Sequence, residues 1–155
     1  MKRRSNLNFI LGYTDIETVK LDFDNTSFKT VRYWAFRALR WFRLEGFLIL
    51  KSSKYNYHVV FNRRVSWSEN MRIVAWISLL SNNPRLQKWH LMQCIKEGST
   101  LRVSSKGDKP SPKIVFRYGK EDKQIKEFIG FRKLVKSITQ KMVKEIFFQN
   151  SCVNV

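Results

Sequence analysis

The stretch VKLDFDNTSF, residues 19–28, contains the pattern from which the fold can be read. Its first half alternates apolar and polar side chains, which is the period of a β-strand with two different faces. The polar positions are Lys20, Asp22 and Asp24. Thr26 or Ser27 then supplies a helix N-cap. The stretch therefore predicts a strand that runs directly into a helix.

The neighbouring segments extend this pattern into a series of elements. Apolar residues at helical spacing continue to about residue 44, and Gly46 ends the helix. FLILKSS and YHVVFNR then predict two strands joined by a short turn. Ser66 and Glu69 have the spacing of a capping box and open a second helix, which Pro84 terminates.

The second half of the chain is less regular. RLQKWHLMQCIKEG, residues 85–98, fits either a helix or a strand, whereas STLRVSS and PKIVFRY predict strands around a loop at residues 105–112. From residue 121 onward the apolar spacing predicts one long helix, or two helices broken near Gly130. The chain is expected to form a single domain over residues 1–155, with a core at about residues 8–118 and a C-terminal helical segment at about 120–149.

The order strand, helix, strand, strand, helix, strand is that of an α+β fold. It predicts a ferredoxin-like βαββαβ sheet of the RNA-recognition-motif type, with helices on one face and a C-terminal helix. In this topology the first and third strands are neighbours at the centre of the sheet. Asp22 and Asp24 are then expected on the open face, with His58 beside them. Two carboxylates at this spacing can bind Mg²⁺ or Mn²⁺, and such a cation would bridge the phosphates of a nucleotide.

The charge of the chain indicates a polyanionic partner. The 30 Lys and Arg residues against 12 Asp and Glu give a net charge of +18. Nucleic acid is the expected partner, because dispersed cations release counterions from phosphates. An anionic membrane surface is a weaker alternative, because the cations are not gathered on one amphipathic segment. The sequence shows no membrane span, and a cytoplasmic location is expected, in a host cell if the protein is viral.

Three segments together resemble the archaeo-eukaryotic primase superfamily. LDFDNT, residues 21–26, resembles the family's hydrophobic-Asp-x-Asp motif. LKSSKYNYHVVF, residues 50–61, resembles its second motif, in which a small polar residue precedes a His on a strand hairpin. STLRVSSKGDKPSPKIV, residues 99–115, resembles the segment that carries an Arg and a Lys near the nucleotide.

The resemblance implies a role for each matched residue. Asp22 and Asp24 would bind the divalent metals and His58 would contact the phosphates of a nucleoside triphosphate. The resemblance also implies phosphate-binding positions at Lys51, Ser53, Arg102 and Lys106. The family has a third acid at the end of a strand, and Gln93 stands at roughly that place, with Glu97 or Asp108 as the nearby carboxylates.

These features favour a minimal primase-like nucleotidyltransferase that acts in replication on a DNA template, single-stranded for example. The alternative is a non-catalytic nucleic-acid-binding module of a virus or plasmid that derives from the same core. A rolling-circle nuclease would need a second His beside His58 and ranks below both.

Basic residues outside the predicted pocket are further candidates for contact with nucleic acid. These residues are Arg37, Arg40, Arg63, Arg64 and Lys113. The apolar stripe of the C-terminal helix is expected to pack on the core, and a homodimer through this helix is the alternative.

Overall fold

A computed structural model describes the backbone of residues 10–151 and the side chains of residues 10–145. It has α+β architecture with six strands and four helices in the described part of the chain. The strands are β1 Gly12–Asp15, β2 Thr18–Phe23, β3 Gly46–Ser53, β4 Asn56–Arg64, β5 Ser99–Arg102 and β6 Lys113–Gly119. The helices are α1 Phe28–Phe42, α2 Trp67–Leu80, α3 Pro84–Lys96 and α4 Lys123–Ser151.

Helix starts follow the capping signals of the sequence. The Ser27 side chain accepts a hydrogen bond from the backbone N–H of Thr30 at the start of α1. The Ser66 side chain accepts one from the backbone N–H of Glu69 at the start of α2. The segment that fitted either a helix or a strand is helix α3, because Asn83 caps it and Pro84 occupies its first turn. Gly130 does not break α4, which is one continuous helix.

The four-stranded sheet is antiparallel and has the order β2-β4-β3-β6. The prediction that the first and third predicted strands are neighbours is confirmed, since β2 pairs with β4. The third predicted strand, β4, is an inner strand as expected, whereas the central position of the first is wrong, because β2 lies at the edge of the ladder. The fourth strand of the predicted βαββαβ order, β5, pairs instead with β1 in a separate two-stranded sheet.

The sheet is covered on both faces. Its first face packs on α1, α2 and α3 through a core that includes Val19, Leu21 and Phe61. On the second face, Val60 and its neighbours pack with Ile125 and Phe128 of α4. The predicted C-terminal helix is present, but the expectation that the second face is open is wrong, because β3 and β4 carry apolar side chains on both faces and both must be buried. Among the helices that the structure describes, none combines the length and apolar character needed to cross a membrane.

Candidate functional site

The pairing of β2 with β4 places Asp22 directly opposite His58. The imidazole Nε2 lies 3.5 Å from one carboxylate oxygen of Asp22. Side-chain alternation puts Tyr57, Val59 and Phe61 in the core under α1 and α2, so His58 points to the second face of the sheet. This face was expected to be open, yet only 6% of the His58 side chain and 23% of the Asp22 side chain are exposed.

A cleft of about 300 Å³ opens beside this pair. It brings together six of the seven residues for which the resemblance implies a pocket role. These six are Asp22, Asp24, Ser53, His58, Arg102 and Lys106. The remaining lining residues are Ile10, Ser52, Asn56 and Lys109. The cleft thus combines two carboxylates with three cationic side chains.

Burial controls the protonation of the central pair. Burial, followed by the nearby Asp24 charge, raises the pKa of Asp22 to about 7, although Arg102 opposes this rise. Burial, followed by repulsion from Arg102, lowers the pKa of His58 to about 3. His58 is therefore neutral at physiological pH, and its contact with Asp22 is not an ion pair. The other ring nitrogen, Nδ1, is buried and has no hydrogen-bond partner in the described part of the chain.

Hydrogen bonds between the residues that follow β2 and the β3–β4 hairpin hold Asp24 in position. The backbone N–H of Asn25 donates to Asn56 Oδ1 at 2.9 Å, and the N–H of Thr26 donates to Tyr55 O at 2.8 Å. Asn56 in turn donates from its side-chain amide to Ser53 Oγ. These bonds hold the end of β2 on the hairpin and so position Asp24 at the cleft.

Arg102 organises the basic side of the cleft. Its guanidinium donates to the carbonyl oxygens of Ser52, Ser104 and Pro110, which lie on the hairpin and on the loop after β5. In that loop Lys106 and Lys109 exchange two backbone hydrogen bonds of 2.9 Å around a turn in which Gly107 has φ of +56°. Both lysines are exposed and line the cleft, so the loop adds two positive charges to it.

Two predicted positions lie elsewhere. Lys51 pairs with Tyr57 across the hairpin and is exposed, which places it on the face opposite His58. Gln93 lies on a helix and not at the end of a strand. Its side chain is buried, donates to Trp89 O at 3.1 Å and accepts from the N–H of Thr100 at 3.0 Å. Gln93 thus supports β5, and neither Glu97 nor Asp108 lines the cleft.

The ligand chemistry of the cleft fits a divalent cation that is only partly bound by protein. Asp22 and Asp24 supply carboxylate oxygens at the cleft. Among residues 10–145, no group of three or more His, Cys, Asp or Glu side chains is placed to hold a metal ion. A cation with two protein carboxylates would take its other ligands from water and phosphate, as Mg²⁺ usually does.

The basic residues predicted to contact nucleic acid are distributed over the surface. Arg63 donates to Phe42 O and to Glu69, both at 2.7 Å, and so links β4 to the ends of α1 and α2. Arg64 pairs with Glu17. Lys113 is exposed on the edge strand β6, while Arg37 and Arg40 lie on α1.

Sequence reasoning missed Asn56 and Lys109 in the cleft and the buried pair of Lys20 with Asp15, whose atoms are 2.6 Å apart. The only signal for Lys109 was the KGDK turn at residues 106–109, which is typical of a hairpin loop. Asp15 lies on a strand of four residues, too short to show a period.

Comparisons of the chain with family models, with curated proteins and with solved structures found no match.

Proposed function

We propose that this cleft transfers nucleotidyl groups to a nucleic-acid strand on a DNA template, in the manner of a minimal primase. The observation that carries the proposal is the convergence of Asp22, Asp24 and His58 with Arg102 and Lys106 in one cleft. These residues come from three separated segments, and the resemblance to the primase superfamily rests on the same three.

Each side chain would have a separate task in this reaction. Asp22 and Asp24 would hold Mg²⁺ or Mn²⁺, which when bound neutralises phosphate charge and favours ionisation of a hydroxyl. Arg102, Lys106 and Lys109 would bind the triphosphate, and their charge would stabilise the negative charge that develops on it. His58 is neutral and would orient a phosphate oxygen through a ring N–H.

The reaction forms one bond and breaks one bond. The 3′-hydroxyl oxygen of the growing strand attacks the α-phosphorus of the nucleotide, and the hydroxyl proton leaves to solvent or to a carboxylate. The bond between the α-phosphorus and the bridging oxygen breaks, and pyrophosphate departs. Positioning and electrostatics supply most of the catalysis in such a transfer, so a small cleft is sufficient.

We further propose that β2, α1, β3, β4, α2 and β5 form a modified arrangement of the RNA-recognition-motif type. The support is the pairing of β2 with β4 and the strand–helix–hairpin–helix order. β5 remains close to β2, because buried Lys20 donates to Ser99 O at 3.1 Å. The pairing of β5 with β1 is the departure from that arrangement.

The test is the incorporation of labelled nucleotides on a primed single-stranded DNA template, with Mg²⁺ or Mn²⁺ and with ribose or deoxyribose substrates. Asp22→Asn and Asp24→Asn are each expected to reduce incorporation by about a hundredfold or more. Asp108→Asn is the matched control, because Asp108 is an exposed acid of the adjacent loop that does not line the cleft. Absence of incorporation by the unchanged protein with every metal and sugar would refute the proposal.

A second candidate function is a nucleic-acid-binding module that has lost catalysis. The observation in its favour is that Gln93, where the resemblance implies a third acid, has a structural role away from the cleft. This candidate predicts binding of single-stranded DNA whose affinity falls steeply with salt, together with no incorporation. Affinity that is the same at low and moderate salt would contradict it.

A further inference from the structure

The outer surface of α1 carries an alternating row of aromatic and cationic side chains. Tyr33, Arg37 and Trp41 are spaced four residues apart, so they lie above one another on one face of the helix. Lys29 precedes this row and Arg40 lies beside it. We call these five residues the α1 stripe. At 1.5 Å per residue, the distance from Tyr33 to Trp41 along the helix axis is about 12 Å.

The two rings are presented to solvent and held in place. Tyr33 is 52% exposed and Trp41 is 44% exposed. The Arg37 guanidinium lies 4.2 Å from the centroid of the Trp41 ring and 5.7 Å from that of Tyr33. Trp34 packs against the core and contacts Tyr33 edge-on at 5.1 Å. The rings therefore form a supported platform and are not simply loose surface side chains.

The charge of α1 is not compensated locally. The helix contains no Asp or Glu, and in the described part of the chain none of its cations has a carboxylate within 4.0 Å. The Nε atom of Arg37 is buried without a hydrogen-bond partner. The positive charge of the stripe is therefore not neutralised by carboxylates of the described part of the chain.

Single-stranded nucleic acid has the matching chemistry. Its unpaired bases offer flat π-faces to aromatic rings and its phosphates offer regularly spaced negative charge. In a duplex the bases already stack on each other and cannot reach the rings. An anionic membrane would favour a helix face rich in apolar residues, whereas the only apolar groups on the stripe are the two rings.

We infer that the α1 stripe is a binding surface for single-stranded nucleic acid, with bases stacked on Tyr33 and Trp41 and phosphates on Lys29, Arg37 and Arg40. The stripe is separate from the cleft, since α1 packs on one face of the sheet and His58 points to the other. The inference does not depend on nucleotidyl transfer. It gives a small protein a second contact with the strand, away from the cleft.

Fluorescence anisotropy with a labelled single-stranded thymidine oligonucleotide tests the stripe. Tyr33→Ala and Trp41→Ala are each expected to weaken binding by about fivefold to a hundredfold. Trp41→Phe keeps a ring and should restore most of the affinity. Trp76→Ala is the matched control, because Trp76 is 52% exposed on α2, outside the stripe, and its removal should leave affinity unchanged. Arg40→Gln should reduce the slope of log affinity against log salt by about 0.7.

Several outcomes would overturn the inference. Unchanged affinity in both ring variants would do so, as would an equal loss in Trp76→Ala. Equal affinity for a duplex and for the single strand would show that the stripe does not recognise unpaired bases. Binding of anionic vesicles that requires Trp41, without binding of the oligonucleotide, would show that the ligand is a membrane surface. The anisotropy measurement is made without nucleotide and without divalent cation, so its result separates failure of the stripe from failure of the cleft chemistry.

Discussion

Replacement of Asp22 by Asn should stabilise the metal-free protein. Burial and the Asp24 charge raise the pKa of Asp22 to about 7, against an ordinary value of 3.8. The unfolded chain therefore loses this proton near pH 4, while the folded chain keeps it until about pH 7. Because the folded state binds the proton more tightly, the stability that depends on Asp22 falls as pH rises through this window and is fully lost above it.

The size of the effect follows from the separation of the two pKa values. Each pKa unit corresponds to about 1.4 kcal/mol, so ionised Asp22 costs about 4 kcal/mol at pH 8. At pH 5 the folded protein is still protonated, and the cost is about 2 kcal/mol. Asn has nearly the same shape and no charge. Asp22→Asn should therefore raise the free energy of unfolding by these amounts, unlike a typical substitution at a buried position.

Urea denaturation with a chelator present, at pH 5 and at pH 8, measures both values. Asp108→Asn removes an exposed acid nearby and should change stability by less than about 0.5 kcal/mol at either pH. A less stable Asp22→Asn protein would refute the reasoning. A gain that does not shrink from pH 8 to pH 5 would refute it as well, because the benefit must follow the titration of Asp22.

Three further predictions concern the cation, the basic loop and the buried lysine. Mn²⁺ should raise the melting temperature of the unchanged protein more at pH 8 than at pH 6, because Asp22 must lose its proton to bind it, and an equal shift would contradict this. Arg102→Ala should cost about 1–3 kcal/mol in urea denaturation and speed amide hydrogen exchange over residues 104–110, since three carbonyl contacts are lost; unchanged exchange would show that Arg102 does not anchor the loop. Asp15→Ala leaves the buried Lys20 ammonium with carbonyl acceptors but without a carboxylate and should cost about 3 kcal/mol, whereas an unaltered urea midpoint would mean that the pair does not stabilise the fold.

Local signals account for the parts of the fold that could be predicted. The alternation at residues 19–24, the caps at Ser27 and Ser66 and the hairpin at residues 46–64 are all short-range patterns. From their order alone, Asp22 and His58 could be placed on neighbouring strands, and the register confirms it. The cap formed by Asn83 with Pro84 could also have identified α3 as a helix.

Long-range packing accounts for the rest. The apolar runs FLIL and VVF in β3 and β4 indicate strands buried on both faces, but α4, the element that covers the second face, begins only at Lys123, far along the chain from both strands. The cleft also depends on contacts between residues that are distant in sequence. Arg102 holds its loop on the hairpin by donating to backbone carbonyl oxygens. Every residue has such a carbonyl, so the sequence does not show which ones Arg102 will contact.

The most direct test of the cleft chemistry is a crystal structure with Mn²⁺ and a non-hydrolysable nucleoside triphosphate. Anomalous density is predicted within about 2–2.5 Å of carboxylate oxygens of both Asp22 and Asp24, with the triphosphate against Arg102 and Lys106. Manganese or nucleotide bound elsewhere, with the cleft empty in crystals that contain both at saturating concentration, would contradict the account.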